Sequence, residues 1–542
     1  MKYKSFVISS MSVIFAGVLL IPTTSYALDM EWKEEGGKSY WYEGGVRQGT
    51  YDDEKGVIGD GTVRGREIYD PESDAWYWLD SVYDGAKAVN KEVWLPYVYQ
   101  NEADWDIAEI QKNRRESDEA ARGEVFNAIY YKKGKWVRYD ENGAMMKGWV
   151  TIEGNLATLY PEQTGNTYYY DHKTGLMVKG PATINGDNYY FDYQTGKMVR
   201  GWETYSNGYG NQGKLYYDAD NGKMVAGTEK EIDGKICFFS HDGEYLEDLY
   251  RDENGLLRVR EDSGNIVDSG KTGNICWWKI RVPEYVSSGR TGWRTKLVIS
   301  GVCDETDTGF KDAGYRSLGK REDSTDPLGY DIGVDEAFID IRNAQDLSYL
   351  FYNMHALRYI NGMDKLDTSK VIDMSRMFYG CYLLMQADVS GFDTSNVTDM
   401  SEMFADHGVL NNLDLSSFDT SNVTDMHGMF SSKPSLMFDK TIVSMDEHAL
   451  KIDVSSFDTS KVTDMSDMFN TAFIEEIDIS SFDTSSVKDM SNMFAYEYSS
   501  SYPEDKTGIV KNIYVGEGWL IGEDTKTDNM FDRCGVDGVT EK

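Results

Sequence analysis

FDTSNVTDMSEMF, at residues 392–404, returns four more times with small changes. The other copies are LDTSKVIDMSRMF (366–378), FDTSNVTDMHGMF (418–430), FDTSKVTDMSDMF (457–469) and FDTSSVKDMSNMF (482–494). Their starts lie 26, 26, 39 and 25 residues apart, so one interval carries a 13-residue insertion. A period near 25 residues is that of a solenoid, in which each unit buries its apolar face only against its neighbours.

Within the copy, Val397, Met400, Met403 and Phe404 fall at i, i+3, i+6 and i+7. That spacing predicts a short helix with Thr394 or Ser395 as its cap. The segments ahead of the copies, ADVSGF (387–392), LDLSSF (413–418), IDVSSF (452–457) and IDISSF (477–482), alternate apolar and polar residues like a half-buried strand. Strand, turn and short helix in about 25 residues is the leucine-rich-repeat plan. A partial repeat at 341–354 opens the array, with Asp346-Leu347-Ser348 where the others read Asp-Met-Ser.

The Met-Phe pairs read as core. The recurring Asp373, Asp399, Asp425, Asp464 and Asp489 read as helix-start caps. Calcium is the lesser alternative for them, because neither EF-hand nor nonapeptide spacing is present. Asp388, Ser390, Asp414, Ser416, Asp453, Ser455, Asp478 and Ser480 are expected on the outward face. The insertion at 432–450 is expected on the rim, where it would tune specificity.

Upstream the writing changes. WVRYDENGAMMKGW (136–149), YYYDHKTGLMVKGP (168–181), YYFDYQTGKMVRGW (189–202) and LYYDADNGKMVAGT (215–228) are four versions of one aromatic-glycine unit, with a degenerate copy at 232–239. Looser copies stand at 38–49 and 68–80. Aromatic and β-branched residues favour strands, and Asn142-Gly143, Thr174-Gly175, Thr195-Gly196 and Asn221-Gly222 offer the positive φ of a tight hairpin turn. Single hairpins are unstable alone, so they are expected to stack and leave grooves between units. The candidate binding residues are Trp136, Tyr139, Trp149, Tyr168, Tyr169, Tyr189, Tyr190, Trp202, Tyr216 and Tyr217, because sugars stack on exposed aromatic faces. The competing reading makes these rings the hairpin core.

This upstream array resembles the cell-wall-binding repeats of Gram-positive surface proteins, a group that includes choline-binding and glucan-binding modules. INGDNYYFD (184–192) looks more like the glucan-binding type. The resemblance implies that Trp from a Gly-Trp and a Trp-Tyr-Tyr position would cage a quaternary ammonium. Here Gly148-Trp149 and Gly201-Trp202 keep the first, while Thr167 and Asn188 stand where the second would be. The downstream array resembles BspA-like leucine-rich-repeat proteins and related mycoplasmal and Listeria surface proteins. That resemblance implies a secreted or surface protein whose solenoid binds macromolecules in adhesion.

The remaining features bound the function. Lys2 and Lys4, an apolar run at 6–21 and Ser25-Tyr26-Ala27 read as a signal peptide over 1–27, with no membrane span left after cleavage. With neither a lipidation cysteine nor a sorting motif, attachment to a cell would be noncovalent. The formal charge of −37 opposes nucleic acid and anionic lipid as partners. Cys237, Cys276, Cys303, Cys381 and Cys534 are scattered and read as buried thiols, a Cys237–Cys276 bridge being the alternative. SGKT at 269–272 lacks the glycine at 265 and the following helix that a phosphate loop needs. No zincin motif or nucleophile elbow occurs, so no enzyme, metal or cofactor is expected.

The expected fold is mainly β with short helices. It comprises aromatic-glycine hairpins over 28–245 with a helix near 105–123, a linker and solenoid cap over 246–340, and a leucine-rich-repeat-like α/β solenoid of about six to seven units over 341–542. The expected partners are a cell-wall polysaccharide or glucan for the hairpins and an unnamed protein or glycan for the solenoid. The alternatives are a freely secreted matrix protein and, third, a polysaccharide-acting enzyme.

Overall fold

In the computed structural model the described residues are 30–49, 57–58, 63–80, 85–96, 134–154, 157, 161–172, 175–206, 212–283, 293–304, 307, 309–311, 313, 333–385, 387–406, 413–432, 452–472, 474–496 and 510–542. The expected signal peptide, the helix near 105–123 and nearly all of the 432–450 insertion lie outside them. The chain divides into two compact units, residues 1–199 and 200–542.

The first unit opens with a seven-stranded antiparallel sheet. Its path runs Met30–Glu35, Lys38–Glu43, Ala86–Lys87, Ala75–Asp80, Val63–Asp70, Val57–Ile58, with Val46–Arg47 off the path beside Lys38–Glu43. Lys91–Pro96 then pairs with Gly134–Tyr139. Two hairpins follow, Gly148–Thr151 with Thr167–Tyr170 and Gly180–Ile184 with Asp187–Phe191.

The second unit begins with three more hairpins. They are Gly201–Ser206 with Gln212–Tyr217, Thr228–Ile232 with Lys235–Phe239, and Leu249–Arg251 with Leu257–Val259. Asn185-Gly186 (φ 54° and 86°) in the first unit's second hairpin and Asp233-Gly234 (φ 52° and 76°) in the second unit join paired strands, as a two-residue turn with both central φ positive requires. The Thr195-Gly196 and Asn221-Gly222 turns that the sequence suggested are a different device. They lie after the aromatic strand, where the Asp192 carboxylate accepts from the N–H groups of Gln194 and Thr195 and closes the exit loop. The loop then delivers a backbone N–H to an earlier strand: Met177 to the Trp136 carbonyl (3.0 Å), Met198 to that of Thr167 (2.7 Å) and Tyr245 to that of Lys214 (2.8 Å). Stacking is thereby hydrogen-bonded, which a lone hairpin needs.

Residues 246–340 hold more than a linker. Ile266–Thr272, Ile275–Pro283, Trp293–Val302, Val334–Arg342 and Tyr359–Asn361 form one sheet, antiparallel at first and parallel over the last two pairings. The rejected SGKT stretch lies in its first strand. Ile275, Leu297, Ile299, Val334 and Ala337 belong to the same buried cluster as the coils, so this sheet covers the apolar end that a solenoid would otherwise expose.

The solenoid is β, and the leucine-rich-repeat plan of strand and helix is corrected. Among the described residues of 341–542 the only helical turn is the 3₁₀ turn Met363–Lys365. Val397, Met400, Met403 and Phe404 are all fully buried, as expected, but a run of turns puts them there. Phe392 N–H donates to the Val389 carbonyl, Val397 to Thr394 and Met403 to Met400, each an i+3 to i bond. Successive β-turns thus reproduce the i, i+3 spacing of a helix. Glu402, at φ 51°, then breaks any helical continuation, as do Arg376, Asp467 and Asn492 in the sister coils.

Coils are joined by parallel bridges running Asp346, Asp373, Asp399, Asp425, Asp464, Asp489 and Lys526, which makes seven coils among the described residues. Met400, Glu402 and Phe404 donate their N–H groups to Asp425, His427 and Met429 of the next coil. Inside, Phe351, Phe378, Phe404, Phe430, Phe469, Phe494 and Phe531 stack at 5.4–5.9 Å with interplanar angles of 4–18°. The segments read as strands keep the expected alternation of burial, but only Glu476–Ile479 forms a ladder.

Candidate aromatic binding clusters

Three array hairpins open on a left-handed glycine: Gly148, Gly180 and Gly201, at φ 75°, 81° and 83°. A side chain on Gly180 would lie 2.6 Å from the Tyr193 ring, so glycine lets that ring cover the hairpin entry. The next residue, Trp149, Pro181 or Trp202, faces Tyr169, Tyr190 or Tyr216 directly across the ladder. Where it is Trp, a ring cluster forms.

Trp149 lies 4.9 Å from Tyr169 and 4.8 Å from Tyr189, both edge-to-face, and 6.0 Å from Phe191. Trp202 lies 5.0 Å from Tyr216 and 4.9 Å from Tyr245, again edge-to-face, and 5.9 Å from Phe239. Each cluster draws rings from two successive segments of the array. The Trp in each remains 42% and 40% exposed, whereas Tyr189, Phe191, Tyr216 and Phe239 are buried. Pro181 supplies no indole, and there Tyr190 packs against Tyr193 at 5.7 Å instead.

The ten candidate residues therefore separate. Trp149, Tyr169 and Tyr189 meet in one cluster, and Trp202 and Tyr216 in another. Tyr190 is half-buried beside Tyr193, and Trp136 is exposed away from either cluster. Tyr139, Tyr168 and Tyr217 are buried and serve packing. Burial, together with the Glu67 carboxylate that its hydroxyl reaches at 3.3 Å, pushes the Tyr139 phenol well above its ordinary range. Burial likewise raises Tyr168. Phe191, Phe239 and Tyr245 were missed. Tyr245 bridges Phe239 as Met198 bridges Phe191, so a ring replaces a thioether at a repeat position hidden by a degenerate copy.

Supporting groups hold this scaffold in place. Lys179 buries its stem and donates from Nζ to the Gln194 carbonyl at 2.7 Å, and burial lowers its pKa. All five cysteines are unpaired, Cys237 and Cys276 included, and Cys237 is raised by burial.

On the solenoid, Asp388, Asp414, Asp453 and Asp478 with their serines are exposed as expected, yet each carboxylate is engaged. Asp388 accepts the Ser390 N–H (3.2 Å) and hydroxyl (2.6 Å), and the other three repeat the N–H contact. Asp399 does the same for Ser401 at 2.8 Å, so the recurring aspartates cap turns and not helices. No group of three His, Cys, Asp or Glu among the described residues is placed to hold a metal ion. A further device escaped the sequence reading. Thr368, Thr394, Thr420, Thr459 and Thr484 are buried, and each hydroxyl donates to a carbonyl of the following coil.

Residues 178–228 match the choline-binding repeat. Residues 345–450 and 437–535 match a family described as Mycoplasma protein of unknown function, DUF285. No curated protein matches the chain. Among solved structures, choline binding protein F from Streptococcus pneumoniae is 20% identical over 42% of this chain and 57% of that one, with a TM-score of 0.25. CbpJ from Streptococcus pneumoniae TIGR4 is 16% identical over 49% of this chain and 94% of that one, at 0.16. The modular autolysin LytC from Streptococcus pneumoniae is 14% identical over 57% and 60%, at 0.19. The chain thus spans less than two thirds of choline binding protein F.

Proposed function

We propose that this is a surface protein of a Gram-positive-type bacterium, secreted and held noncovalently on its cell wall. The Trp149 and Trp202 clusters would bind wall polysaccharide, and the solenoid would present an adhesive surface to a protein or glycan. One observation carries the reading: in each cluster the largest ring is the exposed one, while the smaller rings around it are buried. A purely architectural cluster would bury the indole first, since it has the most apolar area to gain. Two weak sites on one chain also suit a polymer, which converts modest contacts into avidity. The reading assigns the chain no catalytic step.

A quaternary ammonium carried on the wall polymer is the second reading. The edge-to-face frame of electron-rich rings favours it, as does the match of residues 178–228 to the choline-binding repeat.

Co-sedimentation of the mature chain with purified cell walls tests both. The double variant Trp149→Ala, Trp202→Ala should lose on the order of tenfold in retention, from about 1 kcal/mol per lost ring contact. Release by a soluble glucan supports the first reading and release by choline the second. Unchanged retention of the double variant refutes wall binding through these clusters.

A further inference from the structure

We infer that the Trp202 cluster is coupled to the sheet that caps the solenoid, and that one short loop, residues 240–244, carries the coupling. The cluster holds both ends of this loop and the capping sheet holds its middle, so loosening either partner loosens the other. The inference goes beyond wall binding, because it concerns how two parts of the chain hold each other whatever the cluster takes up. At the ends of the loop Phe239 and Tyr245 are bridge partners, and both rings meet the Trp202 indole, at 5.9 and 4.9 Å. Between them the chain turns tightly. The Ser240 N–H donates to the Glu244 carbonyl at 2.9 Å, and the Glu244 N–H to the Ser240 hydroxyl at 3.0 Å. Tyr205, on the same strand as Trp202, donates its hydroxyl to the Glu244 carboxylate at 2.6 Å. Ser240 and Glu244 are both buried, which leaves the loop little freedom apart from the cluster.

The middle of the loop belongs to the capping sheet. The His241 N–H donates to Glu336 Oε1 at 2.7 Å, the oxygen that also accepts from the Asn361 amide at 2.7 Å. The His241 ring lies flat on Tyr359, with centroids 3.4 Å and planes 11° apart. Tyr359 and Asn361 pair with Glu336 and Phe338 in the last pairing of that sheet, and the turn Met363–Lys365 leads from them into the repeat at 366–378. Apolar packing joins the same parts: Phe238, Leu249 and Leu257 share one buried cluster with Val298 and Phe338. Ion pairs join them again. Glu229 accepts from Arg251 at 2.7 Å and from Lys365 at 2.6 Å, and Asp340 accepts the Leu257 N–H at 2.9 Å. Packing of this kind transmits a displacement and does not absorb it.

The sequence carries a mark of this role. Four copies of the array place aspartate directly after the aromatic strand, at Asp140, Asp171, Asp192 and Asp218, whereas the degenerate copy has Ser240. A carboxylate at 240 would stand next to the N–H that Glu336 accepts and set a second negative charge beside a buried one. Serine keeps the acceptor that closes the turn, as its bond from the Glu244 N–H shows, and brings no charge. The copy bonded to Glu336 is thus the copy that drops the carboxylate.

Amide hydrogen exchange of the full mature chain, read by mass spectrometry, tests the coupling. Trp202→Ala should speed exchange in Val334–Arg342 and Tyr359–Asn361 about fivefold, within the range for coupled sites, while residues 457–472 keep the wild-type rate. His241→Ala keeps the backbone N–H, removes the stacked ring, and should speed exchange in Gly201–Ser206 by a similar factor. Trp202 and His241 form no ring contact with each other, so independent sites would give effects that multiply in the double variant. A shared loop instead leaves the double variant at most about twofold faster than the faster single one. Ser240→Asp, which restores the usual array residue, should loosen Gly201–Ser206 and Val334–Arg342 together. Wild-type exchange in Val334–Arg342 of Trp202→Ala overturns the inference, as do multiplying effects in the double variant. Loosening of only one of the two strands in Ser240→Asp overturns it whether or not the other variants fold.

Discussion

Replacing Thr394 by Val removes one hydroxyl and keeps the shape of the side chain. That hydroxyl donates to the Asp419 carbonyl at 3.0 Å and accepts the Asp419 N–H at 2.8 Å, so it joins two coils twice. Thr394 is 1% exposed, and water does not substitute easily for what is lost. Two orphaned backbone groups at about 1–3 kcal/mol each, partly relieved by relaxation, give an expected cost of about 2–4 kcal/mol. Thr394→Ser keeps both bonds and deletes one methyl, for about 1 kcal/mol. A helix cap, which the sequence suggested for this residue, predicts the same order at smaller cost: Val would cost about 1 kcal/mol and Ser almost nothing. Urea unfolding followed by far-UV circular dichroism gives the size of the Val cost, which separates the two readings. Deuterium exchange over residues 413–432 localises it, because only the inter-coil reading exposes the Asp419 amide. Solenoids unfold in segments, so the local readout takes precedence over a single global midpoint. If Val is no more disruptive than Ser, the threonine ladder is not what holds neighbouring coils together.

A second prediction concerns the charged group inside the capping sheet. Lys296 and Glu336 are 1% and 0% exposed and meet at 2.8 Å, and the other Glu336 oxygen accepts from the His241 N–H and the Asn361 amide. Lys296→Met strands a buried carboxylate and should cost about 3–5 kcal/mol, while adding Glu336→Gln should recover more than half in thermal unfolding; no recovery would deny the pairing its role. A third concerns pH. Hydrogen bonds from the Ser460 hydroxyl and N–H hold Asp458 below the ordinary 3.8, so its contribution is present above that value and is lost as pH falls through the lower folded one. Burial raises Asp373, so its contribution is complete below 3.8 and is lost as pH rises through the higher folded value. Asp458→Asn should therefore destabilise at pH 7, Asp373→Asn should stabilise, and both differences should shrink toward pH 2; urea midpoints that shift in the same direction for both would contradict the assignment.

The legible part of the sequence was the part set by burial. Val397, Met400, Met403 and Phe404 had to point inward whatever the backbone did, and they do. Periodicity could not say how, because a chain of β-turns and a helical turn both return an inward residue every third position. The distinguishing signal was present in the polar letters. Asp-x-Ser occurs up to three times per unit, at Asp388, Asp393 and Asp399, and each is a turn closed by a carboxylate. A helix does not tolerate that density of side chains competing for its backbone. In the hairpins the aromatic pattern identified the strands correctly, while Asn185-Gly186 was the turn and Thr195-Gly196 its exit. The two open clusters needed coordinates, since the pairing of Trp149 with Tyr189 depends on the stacking of one hairpin upon the next.

One departure from the repeat explains how so acidic a column is tolerated. At the bridging position the chain places aspartate six times in register, and like charges stacked in a parallel ladder repel. Burial raises Asp373 and Asp425, and the neighbouring aspartates on both sides add to the rise. Each such residue depends on the N–H two positions later to stay acceptable. Asp489 occupies the same position with the opposite outcome. Although partial burial pushes it up, the Lys526 ammonium at 2.8 Å and the Ser491 groups hold it below the ordinary range. Lys526 itself is the seventh member of the ladder. The coil that breaks the consensus does so at the one position where another aspartate would extend the repulsion, and it substitutes the charge that cancels it. The repeat is therefore not a column of equal copies: burial and neighbouring carboxylates raise Asp373 and Asp425, whereas Lys526 offsets the charge of Asp489. Sequence identity between units conceals that difference; the residues packed above and below Asp373, Asp425 and Asp489 set it.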